Sequence, residues 1–174
     1  GETTESIVVT ASGNYSVTVS NGCTATASVS VVETSLDFVN LQWPPIASVC
    51  QGADFTAYGL VGEAGVTGTY GVPGPGITAE FGYSTSNTDP ATWTNWVPAT
   101  FNTLATWQPA DEYFANFGST LAPGIYYYTF RYTLNGCGYQ YGGYSVGGGG
   151  TWDGINYLNG TLTVNVCSPN TTLN

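Results

Sequence analysis

Residues 14–32 read NYSVTVSNGCTATASVSVV. Tyr15, Val17 and Val19 alternate with Asn14, Ser16, Thr18 and Ser20. That period of two belongs to a half-buried strand. Asn21-Gly22 follows, the dipeptide that tight hairpins favour because both positions tolerate positive φ. The alternation then resumes over residues 23–32. A further short strand is expected over residues 6–10 (SIVVT). Residues 1–34 thus read as a partial β unit, too small to bury a useful core by itself.

Working outward, residues 35–45 read as a connector, ended by the stiff extended step Trp43-Pro44-Pro45. A second unit is expected over 46–167, with strands at 46–50, 53–61, 77–84, 93–97, 124–134, 138–145 and 160–166. Gly and Pro cluster between them, notably in 71–76 (GVPGPG) and 147–150 (GGGG). Residues 109–118 (PADEYFANFG) suggest a short helix or a loop turn. Residues 168–174 read as a linker or tail. Strands with regular turn signals and no helical periodicity predict an all-β chain, an immunoglobulin-like β-sandwich preceded by a short partial β unit.

Composition narrows function. The 174 residues carry one Lys or Arg (Arg131), 11 Asp or Glu and no His, for a net charge of −10. One cation cannot neutralise a phosphate backbone, so no nucleic-acid partner is expected. Docking to an anionic membrane fails for the same reason. No apolar run is long enough to span a bilayer, so no direct membrane insertion is expected. Without His or Lys, the commonest general base and the Schiff-base and phosphate-loop lysines are missing. A non-enzymatic chain without an obligatory cofactor is the expectation. Aromatic residues make up 14 %, which argues for a folded chain rather than disorder. No leader is evident, and Gly1 reads as a cut end.

The cysteines are Cys23, Cys50, Cys137 and Cys167. None lie at metal-knuckle spacing. An even count in an acidic, Tyr-, Thr- and Gly-rich chain favours an oxidising, extracellular or cell-surface setting. Cys50 and Cys167 sit near the first and last strands of the second unit, which often adjoin in sandwiches. Cys50–Cys167 is therefore the favoured pairing, with Cys23–Cys137 as its corollary and Cys50–Cys137 close behind.

Several side chains could carry chemistry. Trp107, Tyr139, Tyr141 and Trp152 could form a glycan platform, since sugar rings stack on exposed aromatic faces; the plainer reading makes such rings the core and its rim. Trp107, beside Gln108-Pro109, is expected to be more exposed than Trp93. Asp89, Asp111, Glu112 and Asp153 are loop carboxylates of the kind Ca²⁺ accepts, or simply solvated charges. Arg131, expected in a strand, should pair with Asp111 or Glu112, because a buried unpaired charge is costly. Asn14, Asn159 and Asn170 begin Asn-x-Ser/Thr sequons. The Gly147–Gly150 run reads as a flexible loop.

Ser12-Gly13, Tyr15, Val17, Val19 and Asn21-Gly22-Cys23 resemble the closing strands of an immunoglobulin-like repeat from large secreted surface proteins of flavobacterial-type Bacteroidetes. In that family the Cys usually pairs with one near the start of the same repeat. Asn40-Leu41-Gln42-Trp43-Pro44-Pro45, Phe81-Gly82-Tyr83-Ser84-Thr85, Asp111-Glu112-Tyr113 and Trp152-Asp153-Gly154 resemble an accessory module of the same proteins. The resemblance implies β-sandwich modules of an exported, adhesin-like protein. The expected role is structural and adhesive, within a surface repeat protein or filament, with neighbouring modules or copies of the same chain as partners. One alternative is a carbohydrate-binding module with glycans as ligands. Another is a polymerising subunit whose open sheet edge is completed by a strand from a neighbour.

Overall fold

The computed structural model describes residues 8–9, 13–31 and 35–167. Most of the strand expected over 6–10 and the tail 168–174 lie outside the described residues. The chain divides into two compact units, Gly1–Thr34 and Ser35–Asn174.

In the first unit, β1 (Gly13–Ser20) pairs antiparallel with β2 (Thr24–Val31), from Gly13 opposite Val31 to Ser20 opposite Thr24. Gly22 takes the positive φ of 76° that the turn requires. The register sorts the side chains by face. Tyr15, Val17 and Val19 lie opposite Val29, Ala27 and Ala25 on one side. Ser and Thr hydroxyls fill the other side, where Thr18 and Thr26 are hydrogen-bonded at 3.2 Å. The apolar side is open: Val17 is 59 % exposed, Val19 61 % and Val29 61 %.

The second unit is an all-β sandwich. Its strands are β3 (Phe38–Trp43), β4 (Ile46–Cys50), β5 (Phe55–Gly62), β6 (Ile77–Ser84), β7 (Asn95–Pro98), β8 (Thr100–Phe101) and β9 (Asp111–Phe117). They continue with β10 (Gly124–Leu134), β11 (Cys137–Gly143), β12 (Gly150–Thr151) and β13 (Gly160–Asn165). No α-helix occurs among the described residues; a single 3-10 turn spans Pro90–Thr92. One sheet runs β3-β5-β9-β8. The other is built on the long β10, which pairs with β6 along one side and with β13 and β11 in turn along the other. β7 extends it beyond β6, β12 beyond β11, and β4 lies parallel to β13.

Two predicted elements are corrected. Residues 35–45 are not a connector: β3 is a core strand in which Val39, Asn40 and Leu41 are buried, so the sandwich begins well before residue 46. Residues 109–118 are neither helix nor loop turn: β9 occupies Asp111–Phe117 between β5 and β8.

Aromatic rings join the sheets. Phe81 of β6 meets Phe117 of β9 at 4.9 Å between centroids, and Tyr128 of β10 meets Phe55 of β5 at 5.2 Å. Tyr126 and Tyr128 point inward and are buried, as the alternation along Tyr126-Tyr127-Tyr128 requires. A buried hydroxyl needs a partner. The Tyr128 hydroxyl donates to the Pro44 carbonyl, and that of Tyr126 to the Ala122 carbonyl at 2.9 Å.

Tyr132 is the exception. It is fully buried and its Oη has no hydrogen-bond partner. Gly59 makes room for it: a Cβ there would stand 2.3 Å from that oxygen. A buried, unpaired hydroxyl costs about 1–3 kcal/mol. Tyr132→Phe is therefore expected to leave stability unchanged or raise it by about 1 kcal/mol. The urea midpoint at constant slope reads this out; a clear loss would show that the hydroxyl is satisfied.

Candidate functional site

The outer face of the β10 sheet gathers aromatic and charged side chains. Arg131 of β10 stands opposite Glu80 of β6 and Tyr141 of β11, and Trp96 of β7 stands opposite Gly82 of β6. Strand alternation puts all of these on the face away from the core. The Arg131 guanidinium carbon sits 4.2 Å from the Trp96 ring centroid and 3.8 Å from that of Tyr139. Its Nε donates to Glu80 Oε2 at 2.8 Å. Trp96 lies flat over Gly82, where a Cβ would come within 2.4 Å of the indole. The Trp96 Nε1 donates to the Trp93 carbonyl at 3.0 Å, and the two indoles stack at 6.0 Å.

The expected partner of Arg131 is corrected. Asp111 and Glu112 belong to β9, in the opposite sheet, and the ion pair is with Glu80. The Tyr139 hydroxyl hydrogen-bonds to the same carboxylate, which holds its pKa above the ordinary tyrosine value. Arg131 and Glu80 are 17 % and 20 % exposed, so the pair is only partly screened. Arg131→Met is expected to cost about 1–2 kcal/mol through the lost pair and cation–π contacts. Arg131→Lys should recover less than half of that, because an ammonium cannot fill the planar slot between two rings. Urea unfolding of both variants checks this; full recovery by Lys would reduce the stack to a simple charge pair.

The four expected glycan residues do not form one platform. Tyr139 and Tyr141 share the Arg131 face, with Tyr141 also 5.8 Å from Trp96. Trp107 lies in the β8–β9 loop at 56 % exposure, against 7 % for Trp93, as expected from its setting. Trp152 follows β12, and neither it nor Trp107 makes a ring–ring contact with another described aromatic. Nothing in the sequence links Trp96 or Glu80 to Arg131; only the β6–β10 and β6–β7 registers bring them there.

The carboxylates are occupied by local structure. Asp111, 3 % exposed, accepts from the Gly68 N–H at 3.1 Å and the Gly74 N–H at 2.7 Å, which fastens the β5–β6 loop to β9. Glu112, also buried, accepts from the Asn102 side-chain amide. The reading of Asp111 and Glu112 as loop ligands is thereby corrected. Asp89 accepts from the Ala91 N–H at 2.8 Å and caps the 3-10 turn. Asp153 accepts the N–H groups of Ile155, Asn156 and Tyr157. Those hydrogen bonds, Tyr157 foremost, pull its pKa down to about 2. A depressed carboxylate stabilises above its unfolded pKa and loses that contribution as pH falls through its folded one. The 153–157 loop should therefore keep its hydrogen bonds down to about pH 2. Among the described residues, no three of His, Cys, Asp or Glu come together as a metal set.

Cys50 and Cys167 are disulfide-bonded, with Cα atoms 5.4 Å apart, at the ends of the paired strands β4 and β13. The corollary pairing, Cys23–Cys137, is not present: Cys23, in the β1–β2 turn of the first unit, and Cys137, at the start of β11 in the second, are each exposed free thiols. Of the sequons, Asn14 is exposed on β1, while the Asn159 amide already donates to Asn87 Oδ1 at 2.9 Å and to the Thr88 carbonyl at 3.1 Å. Asn170 lies outside the described residues. No protein-family model matches the chain. No curated protein matches it either.

Proposed function

We propose that this chain is a non-enzymatic, extracellular structural and adhesive module, working in contact with neighbouring modules or copies of itself in a surface repeat protein or filament. The observation that carries the reading is the β1–β2 hairpin, whose valines at 17, 19 and 29 form an exposed apolar stripe backed by a face of hydroxyls. A contiguous apolar stripe in water marks a contact surface. The Cys50–Cys167 bond fits an oxidising compartment. The carboxylates at 111, 112, 89 and 153 hold loops and turns, which suits a scaffold more than an acid–base catalyst.

Sedimentation velocity of the intact chain over a range of concentrations tests this. Association that grows with concentration and disappears in the Val17→Asp, Val29→Asp double variant is the expected result. A monomer at every concentration, or association indifferent to the two substitutions, would sink the reading.

A further inference from the structure

Arg131 is the one cation of the chain, and its guanidinium is only partly used. Nε donates to Glu80 Oε2, while the N–H groups at Nη1 and Nη2 have no hydrogen-bond partner among the described residues. Neither of these two nitrogens is sealed from solvent. They are nonetheless held still. Trp96 lies against the guanidinium at 4.2 Å and Tyr139 at 3.8 Å. Trp96 is itself fixed, by close packing on Gly82 and by its donation to the Trp93 carbonyl. Tyr139 is anchored by its hydroxyl on Glu80. Its ring is 44 % exposed and meets no other described aromatic ring, so the face turned away from the guanidinium is open to water. An immobilised fork of donors thus stands beside an open aromatic face on the outside of a sheet.

We infer that this face binds an uncharged glycan chain, one sugar ring stacking on Tyr139 while its hydroxyls accept from Arg131 Nη1 and Nη2. The guanidinium presents its N–H groups as a planar fork of fixed geometry, which neighbouring hydroxyls on one ring can answer together. The donors are already ordered by the two aromatic rings, so little conformational freedom is lost when a ligand arrives. Charge selects against an acidic ligand. Glu80 neutralises Arg131 at 2.8 Å, and the chain as a whole carries −10, so a polyanion meets a neutral pair inside a repelling field. Size selects against a protein partner. One ring face and one donor fork match a sugar residue, whereas a protein interface covers roughly 800 Å² on each side. The inference does not depend on hairpin association. It keeps Tyr139 from the aromatic residues expected to bind glycans, adds Arg131, and leaves out Trp107 and Trp152.

The test is a ¹H–¹⁵N titration of the intact chain. With a single Arg and no Lys, the Arg131 Nε–H gives the only guanidinium signal of its kind and needs no assignment. Cellohexaose, mannohexaose and xylohexaose are the neutral probes, each added to its solubility limit, and hexagalacturonate is the acidic one. Expected is a saturable shift of the Arg131 signal with at least one neutral hexasaccharide, and none at the indole N–H of the exposed Trp107. The backbone amide of residue 139 reads the variants, and unmoved core signals show that they are folded. Tyr139→Ala should weaken binding about tenfold or more, and Tyr139→Phe, which keeps the ring face, should bind more tightly than Tyr139→Ala. Arg131→Lys, which keeps the charge and loses the fork, should also weaken binding about tenfold. No saturable shift with any neutral hexasaccharide, an equal shift at Trp107, affinity unchanged in Tyr139→Ala or in Arg131→Lys, or a shift with hexagalacturonate alone would each overturn the inference.

Discussion

Removing the Cys50–Cys167 bond is expected to cost the second unit about 4 kcal/mol. The bond closes a loop over a sequence separation of 117 residues, and cross-links of that span restrict the unfolded chain by about 4–5 kcal/mol in the chain-entropy view. β4 belongs to the sheet through its parallel pairing with β13. Ile46 is 74 % exposed while Ala47 and Val49 pack against the core, and further ties are those of the Asn165 amide to Ser48 Oγ at 2.8 Å and the Val49 carbonyl at 3.3 Å, of the Gln51 N–H to the Asn165 carbonyl at 2.7 Å and of the Thr161 N–H to the Pro45 carbonyl at 2.9 Å. Against a total stability of about 5–15 kcal/mol, this is the largest single contribution open to a simple test. The melting temperature should fall by roughly 10 °C or more. Calorimetry on a Cys50→Ser, Cys167→Ser variant measures it, with Cys23 and Cys137 also replaced in both proteins so that free thiols cannot reshuffle. A loss below about 1 kcal/mol would mean that the β4–β13 ladder holds the closure unaided.

The bounds of β6 and β10 are legible in the sequence, because one face of each is core and the other is not, so apolar residues alternate. The Cys50–Cys167 pairing holds for a different reason than expected: β4 is the second strand of the unit, not the first, and it is β4 itself that pairs with β13. β3 and β9 hid because that alternation fails in both. In β3, Asn40 is as buried as Val39 and Leu41; its side chain donates to the Gly148 carbonyl at 2.7 Å and accepts from the Leu60 N–H at 2.9 Å. In β9, two adjacent carboxylates are buried on opposite faces. The groups that satisfy them come from Gly68, Gly74 and Asn102, in other segments of the chain. A polar residue in a strand looks like solvent exposure until its distant partners are known. The site was harder for the same reason. Arg131 was rightly placed in a strand that needs a counter-charge, but choosing Glu80 over Asp111 or Glu112 requires knowing that β6, not β9, lies beside β10.

Gly142→Val is expected to destabilise the sandwich by at least about 3 kcal/mol, since overpacking a closed core costs about 1–3 kcal/mol and more where backbone must move. Gly142 lies on the inward side of β11, where that strand crosses β3. A Cβ built there would stand 2.4 Å from the Asn40 carbonyl carbon, 2.5 Å from its oxygen and 2.8 Å from the Leu41 nitrogen. These are main-chain atoms of a buried strand, so no rotamer change relieves the contact. The two strands must separate, and Asn40 is what suffers. Its donation to Gly148 ties β3 to the glycine loop that follows β11, and its acceptance from Leu60 ties it to β5. The run 147–150 thus serves a packing need as well as loop freedom: Gly149 holds a φ of 75°, and a Cβ there would meet the Gly143 carbonyl oxygen at 2.6 Å. Gly62→Ala is the control. It sits in β5, its Cβ would meet the Phe38 Cβ at an ordinary 3.4 Å, and it should change stability by less than about 1 kcal/mol. Urea midpoints of the two variants should therefore differ several-fold in their shift from the parent. If Gly142→Val proved as mild as Gly62→Ala, β11 and β3 could part without loss, and the close crossing around Asn40 would not be what joins the two sheets at that edge.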